Sequence, residues 1–147
     1  MGVLEQALAN LAAVNVAGVT SYALGGTPER LTRVQLPALL ILPDAAREGG
    51  AQGAQPNAFS AGDARLQVQV VHTLLSAPVA QGAGRRSAWA ALIPLVDAYV
   101  EALAADALLG GALPVPLRFT VRMGTVRYGG VDYWGAVFRH VWTLHVG

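Results

Sequence analysis

The chain has 147 residues, of which 54% are apolar and only 13% charged, and its formal net charge is +1. The length suits a single domain with its own core, and so small a net charge gives no field that would by itself attract nucleic acid or a membrane. The absence of cysteine excludes disulfides and thiolate chemistry. The longest uninterrupted apolar stretch, residues 88–96, has nine residues, whereas a membrane-spanning helix needs roughly 20. We therefore expect the excess apolar surface to contact other protein subunits and no membrane.

The chain begins with a helical pattern followed by a short strand pattern. Leu4, Leu8 and Leu11 recur at helical spacing, which predicts an amphipathic helix over residues 3–14. Residues 19–24 have the composition of a strand and end in a turn rich in glycine and proline.

Two further strands are predicted on either side of a long loop. The apolar run Ala38–Leu42 is bracketed by prolines, which predicts a strand buried on both faces. Residues 65–75 alternate between apolar and polar side chains, as in a half-buried strand. Residues 44–62 show neither period and are predicted to form a loop, whose length indicates a functional or mobile segment.

The second half predicts a helix and then a long β-hairpin. A broad apolar stripe predicts a helix over residues 87–106, in which Pro94 either kinks the helix or marks its true start. Alternating strands on both sides of Gly129 and Gly130 predict a hairpin that turns at these glycines. On the return strand, even-numbered residues from Ala136 share one face and odd-numbered residues share the other.

Together these elements predict a single α+β domain over residues 1–147 in the order α-β-β-β-α-β-β. The expected sheet is mostly antiparallel, has about four to five strands, and carries both helices on one face.

No catalytic, cofactor-binding or metal-binding residues are predicted. His140 and His145 are five residues apart on a strand and point to opposite faces, so they cannot share a metal. His72 and His140 could meet across the sheet, but buried histidines with hydrogen-bond partners are far commoner than metal ligands. Arg85 and Arg86 follow a glycine-rich stretch and lead into a helix, where they could hold an anion, although a plain surface loop is the commoner case.

Three short sequences carry a resemblance to a known family. They are Val-Arg-Tyr-Gly-Gly-Val-Asp-Tyr-Trp-Gly at 126–135, Leu-Pro-Ala-Leu at 36–39 and Leu-Val-Asp at 95–97. With the order of elements, they resemble the tail-terminator (tail-completion) proteins of long-tailed bacteriophages. The resemblance spans nearly the whole chain as a layout, and its motifs are short.

The resemblance implies a structural protein of the virion and no enzyme. Such a protein forms a ring, usually of six subunits, that caps the tail tube, ends its polymerisation and joins the tail to the head. The implied partners are further copies of the chain, the tail-tube protein, the head–tail connector and DNA, which passes through the lumen without sequence-specific binding. The 44–62 loop would become ordered on assembly or reach a neighbouring ring. The expected assembly surface comprises Arg118, Arg122, Arg127, Tyr128, Tyr133, Trp134, Arg139 and Trp142.

Other functions stay open at this point. A head–tail connector or neck protein would have similar size and a similar lack of catalytic chemistry. A different class is a nucleic-acid-binding module, in which the arginines and aromatic residues of the C-terminal hairpin contact a single strand. A small enzyme is the third possibility, but no constellation of side chains supports it.

Overall fold

The structure, a computed structural model, describes residues 2–42, 57–81 and 84–146. It confirms the predicted α+β class, with two helices and a mostly antiparallel sheet. The elements in chain order are α1 (Val3–Ala12), β1 (Thr20–Tyr22), β2 (Ala38–Leu42), β3 (Ala58–Ser60), β4 (Arg65–Pro78), α2 (Arg85–Ala104), β5 (Phe119–Tyr128) and β6 (Val131–His145).

The described strands form a six-stranded mixed sheet in the order β1-β2-β4-β6-β5, with β3 also paired to β4. β1 runs parallel to β2, and the other pairs are antiparallel. The predicted strand count and element order lack one strand, because β3 lies inside the predicted 44–62 loop. All three β3 residues are exposed, so the strand is defined by its pairing with β4 and has no hydrophobic pattern of its own. Residues 43–56 of that loop lie outside the described residues.

The predicted hairpin between β5 and β6 is confirmed. Gly129 and Gly130 have φ values of +59° and +81°, the backbone of a two-residue turn that glycine adopts without strain. The tip lies against the segment before β2, because a Cβ on Gly129 would be 2.7 Å from the Glu29 carbonyl oxygen.

Buried side chains form two clusters, one on each face of the sheet. The main core contains residues of both helices, which confirms that they pack on one face; its larger members include Leu11, Leu39, Leu74, Leu92, Tyr99, Leu103, Phe138, Trp142 and Leu144. A smaller cluster on the other face contains Ala38, Leu40, Leu75 and Tyr133, and partly buried Leu31 and Leu36 pack against it. One end of that second face is therefore covered, while the other end carries no helix of the described chain.

The helix α2 begins at Arg85, two residues before the predicted start, and continues past Pro94 to Ala104. By length and composition alone it could cross a membrane, since its apolar window has a mean hydropathy of 1.3. The uninterrupted apolar run inside this helix is shorter, because isolated polar residues divide the apolar window. In the fold, one stripe of α2 packs into the main core through Ala88, Leu92, Val96, Tyr99 and Leu103.

Candidate functional site

The candidate site is the part of the sheet's second face that no helix of the described chain covers. Even-numbered residues of β6 from Ala136 to Leu144 are buried, whereas Val137, Arg139, Val141 and Thr143 alternate with them and retain exposed surface. This confirms the predicted division of the strand into two faces. We call this part the open face; it comprises Gln67, Gln69, Arg118, Thr120, Arg122, Val137, Arg139, Val141 and Thr143.

Three arginines lie together on the open face. Arg139 belongs to β6 and is paired with Thr120 of β5, and Arg118 and Arg122 lie two residues on either side of Thr120. Side chains that are diagonal neighbours on paired strands have Cα atoms about 7–8 Å apart. We call Arg118, Arg122 and Arg139 the arginine cluster.

The strands β4, β5 and β6 contain one acidic residue, and it does not lie on the open face. The acidic residue of these strands is Asp132, which is paired with Arg127 and lies on the opposite face. Its carboxylate oxygen is 3.2 Å from a guanidinium nitrogen of Arg127, and both side chains are exposed. Arg127 is therefore separate from the arginine cluster and belongs to an ion pair near the hairpin tip.

Two aromatic residues of the predicted assembly surface lie inside the protein. Trp142 is 1% exposed and belongs to the main core, and Tyr133 is 3% exposed and belongs to the second cluster. Neither side chain is therefore part of the candidate surface. The alternation on β6 predicts that Trp142 lies on the same face of the sheet as Phe138. The burial of Tyr133, in contrast, depends on residues 31–36, which pack against the second cluster.

The other two predicted aromatics are partly buried and lie apart from each other. The Tyr128 hydroxyl donates a hydrogen bond to the carbonyl oxygen of Pro28. Burial, with contributions from the nearby Glu29 and Tyr133, raises the pKa of Tyr128. Trp134 instead lines a cleft of about 700 Å³ formed by residues of α2 and of the β5–β6 hairpin, with Arg85, Trp89 and Arg122 among the other lining residues.

A buried hydrogen-bonded chain joins the sheet to α2. The Tyr99 hydroxyl oxygen is 2.9 Å from His72 Nδ1 and 2.7 Å from His140 Nε2. The two histidines, which the sequence pattern allowed to meet across the sheet, are joined through a tyrosine that the same pattern assigned only to the apolar stripe of the helix. One hydroxyl proton can serve only one of the two nitrogens, so the other imidazole donates its own N–H to the tyrosine oxygen.

Burial keeps both imidazoles neutral near pH 7. Neither has any exposed surface, and burial lowers the pKa of His140 to about 4. Burial and the adjacent His140 lower the pKa of His72 to about 3, and burial raises the pKa of Tyr99. Because both imidazoles are fully buried and hydrogen-bonded to Tyr99, we assign these three side chains a structural role.

The described part of the chain contains no group of three or more His, Asp or Glu side chains that could hold a metal ion. Among the residues that the structure describes, no carboxylate therefore completes such a set with the two buried histidines.

The outer edge of β5 is the longest unpaired strand edge in the described sheet. The N–H of Val141 donates to the carbonyl of Arg118 at 3.3 Å, and this pairing directs the backbone groups of even-numbered β5 residues toward β6. Odd-numbered residues such as Val121, Met123 and Thr125 therefore direct their N–H and C=O groups outward. The Val121 side chain is 45% exposed on this edge.

Comparison with protein-family models and with curated proteins finds no match for this chain.

Proposed function

We propose that this chain is a structural assembly protein of the tail-terminator type. Its copies form a ring, six in the form the resemblance implies, that closes the end of a phage tail tube and joins it to the head–tail connector. Its place would then be the neck of the virion. The observation that carries the proposal is the unpaired outer edge of β5.

An unpaired edge of this length is a template for a strand from another chain. The ten residues of β5 direct unsatisfied backbone groups outward at every second position. Neither proline nor lysine, which commonly protect such edges, occurs in the strand. Exposed Val121 adds apolar area at the same edge, so pairing there would bury both hydrogen-bonding groups and apolar surface.

The two ends of the sheet differ, which favours a closed ring over a two-fold dimer. The terminal strands are β1, with three residues, and β5, with ten. A contact between unlike surfaces repeats head to tail, and it closes into a ring when the rotation per subunit divides a full turn. In this proposal β5 supplies one of the two unlike surfaces that neighbouring subunits bring into contact.

The test is capping of tail tubes polymerised from the tube protein encoded in the same genome. Electron microscopy of tubes grown with the purified chain is expected to show rings at tube ends and a narrow length distribution. Tubes of unrestricted length without terminal density, together with a chain that stays monomeric on them, would overturn the proposal. Rings that bind purified connector but never a tube end would support the neck-protein alternative.

A substitution on β5 connects this test to the proposed edge. Thr125→Pro removes an outward N–H that the β5–β6 ladder does not use, so the monomer is expected to fold while ring formation is lost. Thr125→Val is the matched control, because it keeps the backbone N–H and a β-branched side chain. Equal ring formation by the two variants would contradict a role for this edge.

A further inference from the structure

We infer that α2 of one copy of this chain docks into a cleft of a second copy, in which two arginines receive two carboxylates of the helix. The cleft is the one lined by Arg85, Trp89, Arg122 and Trp134, among others, and we call it the tryptophan cleft. The inference rests on the proposed function and deepens it, because it names a surface of the neighbouring copy that meets the β5 side of the first.

The tryptophan cleft has the composition of a protein-binding anchor. Its volume is about 700 Å³, and the two tryptophans, Trp89 of α2 and Trp134 of β6, are partly buried in its wall. Arg85 and Arg122 are exposed and add two permanent positive charges. Tryptophan and arginine are among the residue types that contribute most to the affinity of protein interfaces. The cleft therefore offers apolar area and positive charge to the same partner.

Complementary chemistry lies on the exposed face of α2, away from the core. Ile93, Asp97, Val100 and Glu101 are all exposed and follow a spacing that places them on one face of the helix. Ile93 is 46% and Val100 43% exposed. We call these four residues the outer face of α2. An amphipathic helix that docks into a groove uses anchors at this spacing, so two carboxylates between apolar side chains match arginines beside tryptophans.

The cleft and the outer face do not meet within one chain. Both include residues of α2, and Asp97 follows Trp89 by eight residues, which corresponds to about 12 Å along the axis of a helix. Neither Arg85 nor Arg122 forms an ion pair with a described carboxylate, and the same holds for Asp97 and Glu101 with described cations. Contact between the two surfaces therefore requires a second copy.

The order of charges along α2 does not stabilise the helix itself. Arg85 lies in its first turn and Glu101 in its last turn, with no acidic residue in the first turn and no basic residue in the last. The helix dipole favours the reverse order, with negative charge at the start and positive charge at the end. Pairing with a second copy gives each of these charges an opposite charge that its own helix does not provide.

A second copy accounts for more of these features than nucleic acid does. A single strand could stack its bases on the two tryptophans, but it would give no role to the outer face of α2. The cleft also includes Gly124 and Thr125 of the unpaired β5 edge, and a Cβ on Gly124 would meet nothing within 4 Å. A copy that approaches this edge therefore reaches the cleft as well.

The experiment is a charge swap, followed by analytical ultracentrifugation of the chain and by electron microscopy of tail tubes. Arg85→Glu/Arg122→Glu and Asp97→Arg/Glu101→Arg are each expected to lose self-association and ring formation, because like charges then face each other. An equimolar mixture of the two variants is expected to recover both. Failure of the mixture to recover, with both variants folded by circular dichroism, would overturn the inference.

Neutral variants and a matched control complete the design. If a charge reversal unfolds the chain, Arg85→Gln/Arg122→Gln and Asp97→Asn/Glu101→Gln replace it, and each is expected to weaken association. Arg33→Glu/Arg65→Glu makes the same change in net charge at exposed positions outside the cleft, and it should leave association unchanged. An equal loss in this control would show that net charge alone acts, and would overturn the assignment to the cleft.

Further outcomes separate this inference from the proposed function. Rings that form equally well in every variant would support the proposed function and overturn only the docked helix. Pairs of copies that depend on the same charges but never cap tubes would support the docked helix and count against the ring. Oligothymidylate binding that is lost in Arg85→Glu/Arg122→Glu, with association unaffected by Asp97→Arg/Glu101→Arg, would assign the cleft to nucleic acid and overturn the inference. An unmodified chain that never associates, alone or on tubes, would overturn both.

Discussion

The two faces of the sheet are made by alternating residues of the same strands, yet they have almost opposite properties. On β6, Phe138, His140 and Trp142 have almost no exposed surface, whereas Arg139 and Val141 between them retain it. The first set packs under two helices, and the second set lies on the open face. Stability is thus concentrated on one side of each strand, which leaves the other side available for binding.

The largest expected difference between the faces concerns Trp142 and its neighbour in sequence. Trp142→Ala removes a side chain from the main core and is expected to lower the free energy of unfolding by about 3–5 kcal/mol. Val141→Ala on the open face is expected to cost less than about 1 kcal/mol. Urea unfolding of both variants checks the pair, and similar losses would contradict the division into a core face and an open face.

The buried histidines predict a loss of stability in mild acid. Burial lowers the pKa of His72 to about 3 and that of His140 to about 4, from 6.5. Below pH 6.5 the unfolded chain therefore binds protons that the folded chain does not, so their contribution is complete above pH 6.5 and decreases as the pH falls toward 4. Two such groups correspond to roughly 2 kcal/mol between pH 6 and pH 5.

Urea unfolding at pH 7, 6 and 5 measures this slope, and two variants assign it. His140→Gln retains a polar side chain but cannot titrate, so about half of the slope is expected to disappear. His145→Gln changes an exposed residue at the end of the same strand and is expected to leave the slope unchanged. A slope that persists in the first variant and decreases in the second would refute the assignment to the buried chain.

An effect of similar size distinguishes the two glycines that face each other in the hairpin, Gly124 and Gly135. A Cβ on Gly135 would collide with the carbonyl oxygen of Leu74, whereas a Cβ on Gly124 meets nothing within 4 Å. Gly135→Ala is therefore expected to destabilise the protein by about 1–3 kcal/mol. Gly124→Ala is expected to be neutral or slightly stabilising. Thermal unfolding of the two variants measures the difference. A Gly135→Ala variant that is as stable as the Gly124→Ala variant would contradict the close approach to Leu74.

Much of the fold could be predicted because local patterns and tertiary structure agree. The buried strand Ala38–Leu42, the alternation on β6 and the turn at Gly129 and Gly130 all follow from the spacing of apolar residues and glycines. The strand β3 could not be predicted, because its three exposed residues gain their structure from pairing with β4. The burial of Tyr133 likewise depends on a distant segment.

The candidate site was partly predictable for a geometric reason. Alternation assigns Arg118 and Arg122 to one face of β5, and a two-residue turn sets the register of the hairpin. Counting back from Gly129 and Gly130 pairs Thr120 with Arg139, so this arginine cluster could have been placed from sequence alone. The bridge formed by Tyr99 could not, because nothing in a helical repeat specifies which strand residues its hydroxyl will reach.

The smallest expected effect on the free energy of unfolding concerns two arginines of the open face. Arg118→Gln/Arg122→Gln replaces two exposed side chains that lie outside both buried clusters, and surface substitutions of this kind usually change the free energy of unfolding by no more than about 0.5 kcal/mol. The change is therefore expected to stay within that range. Thermal and urea unfolding measure it beside the unmodified protein. A loss above about 2 kcal/mol would mean that these arginines support the fold, whereas near-neutral stability would show that the fold depends on the helix-covered face and not on these two side chains.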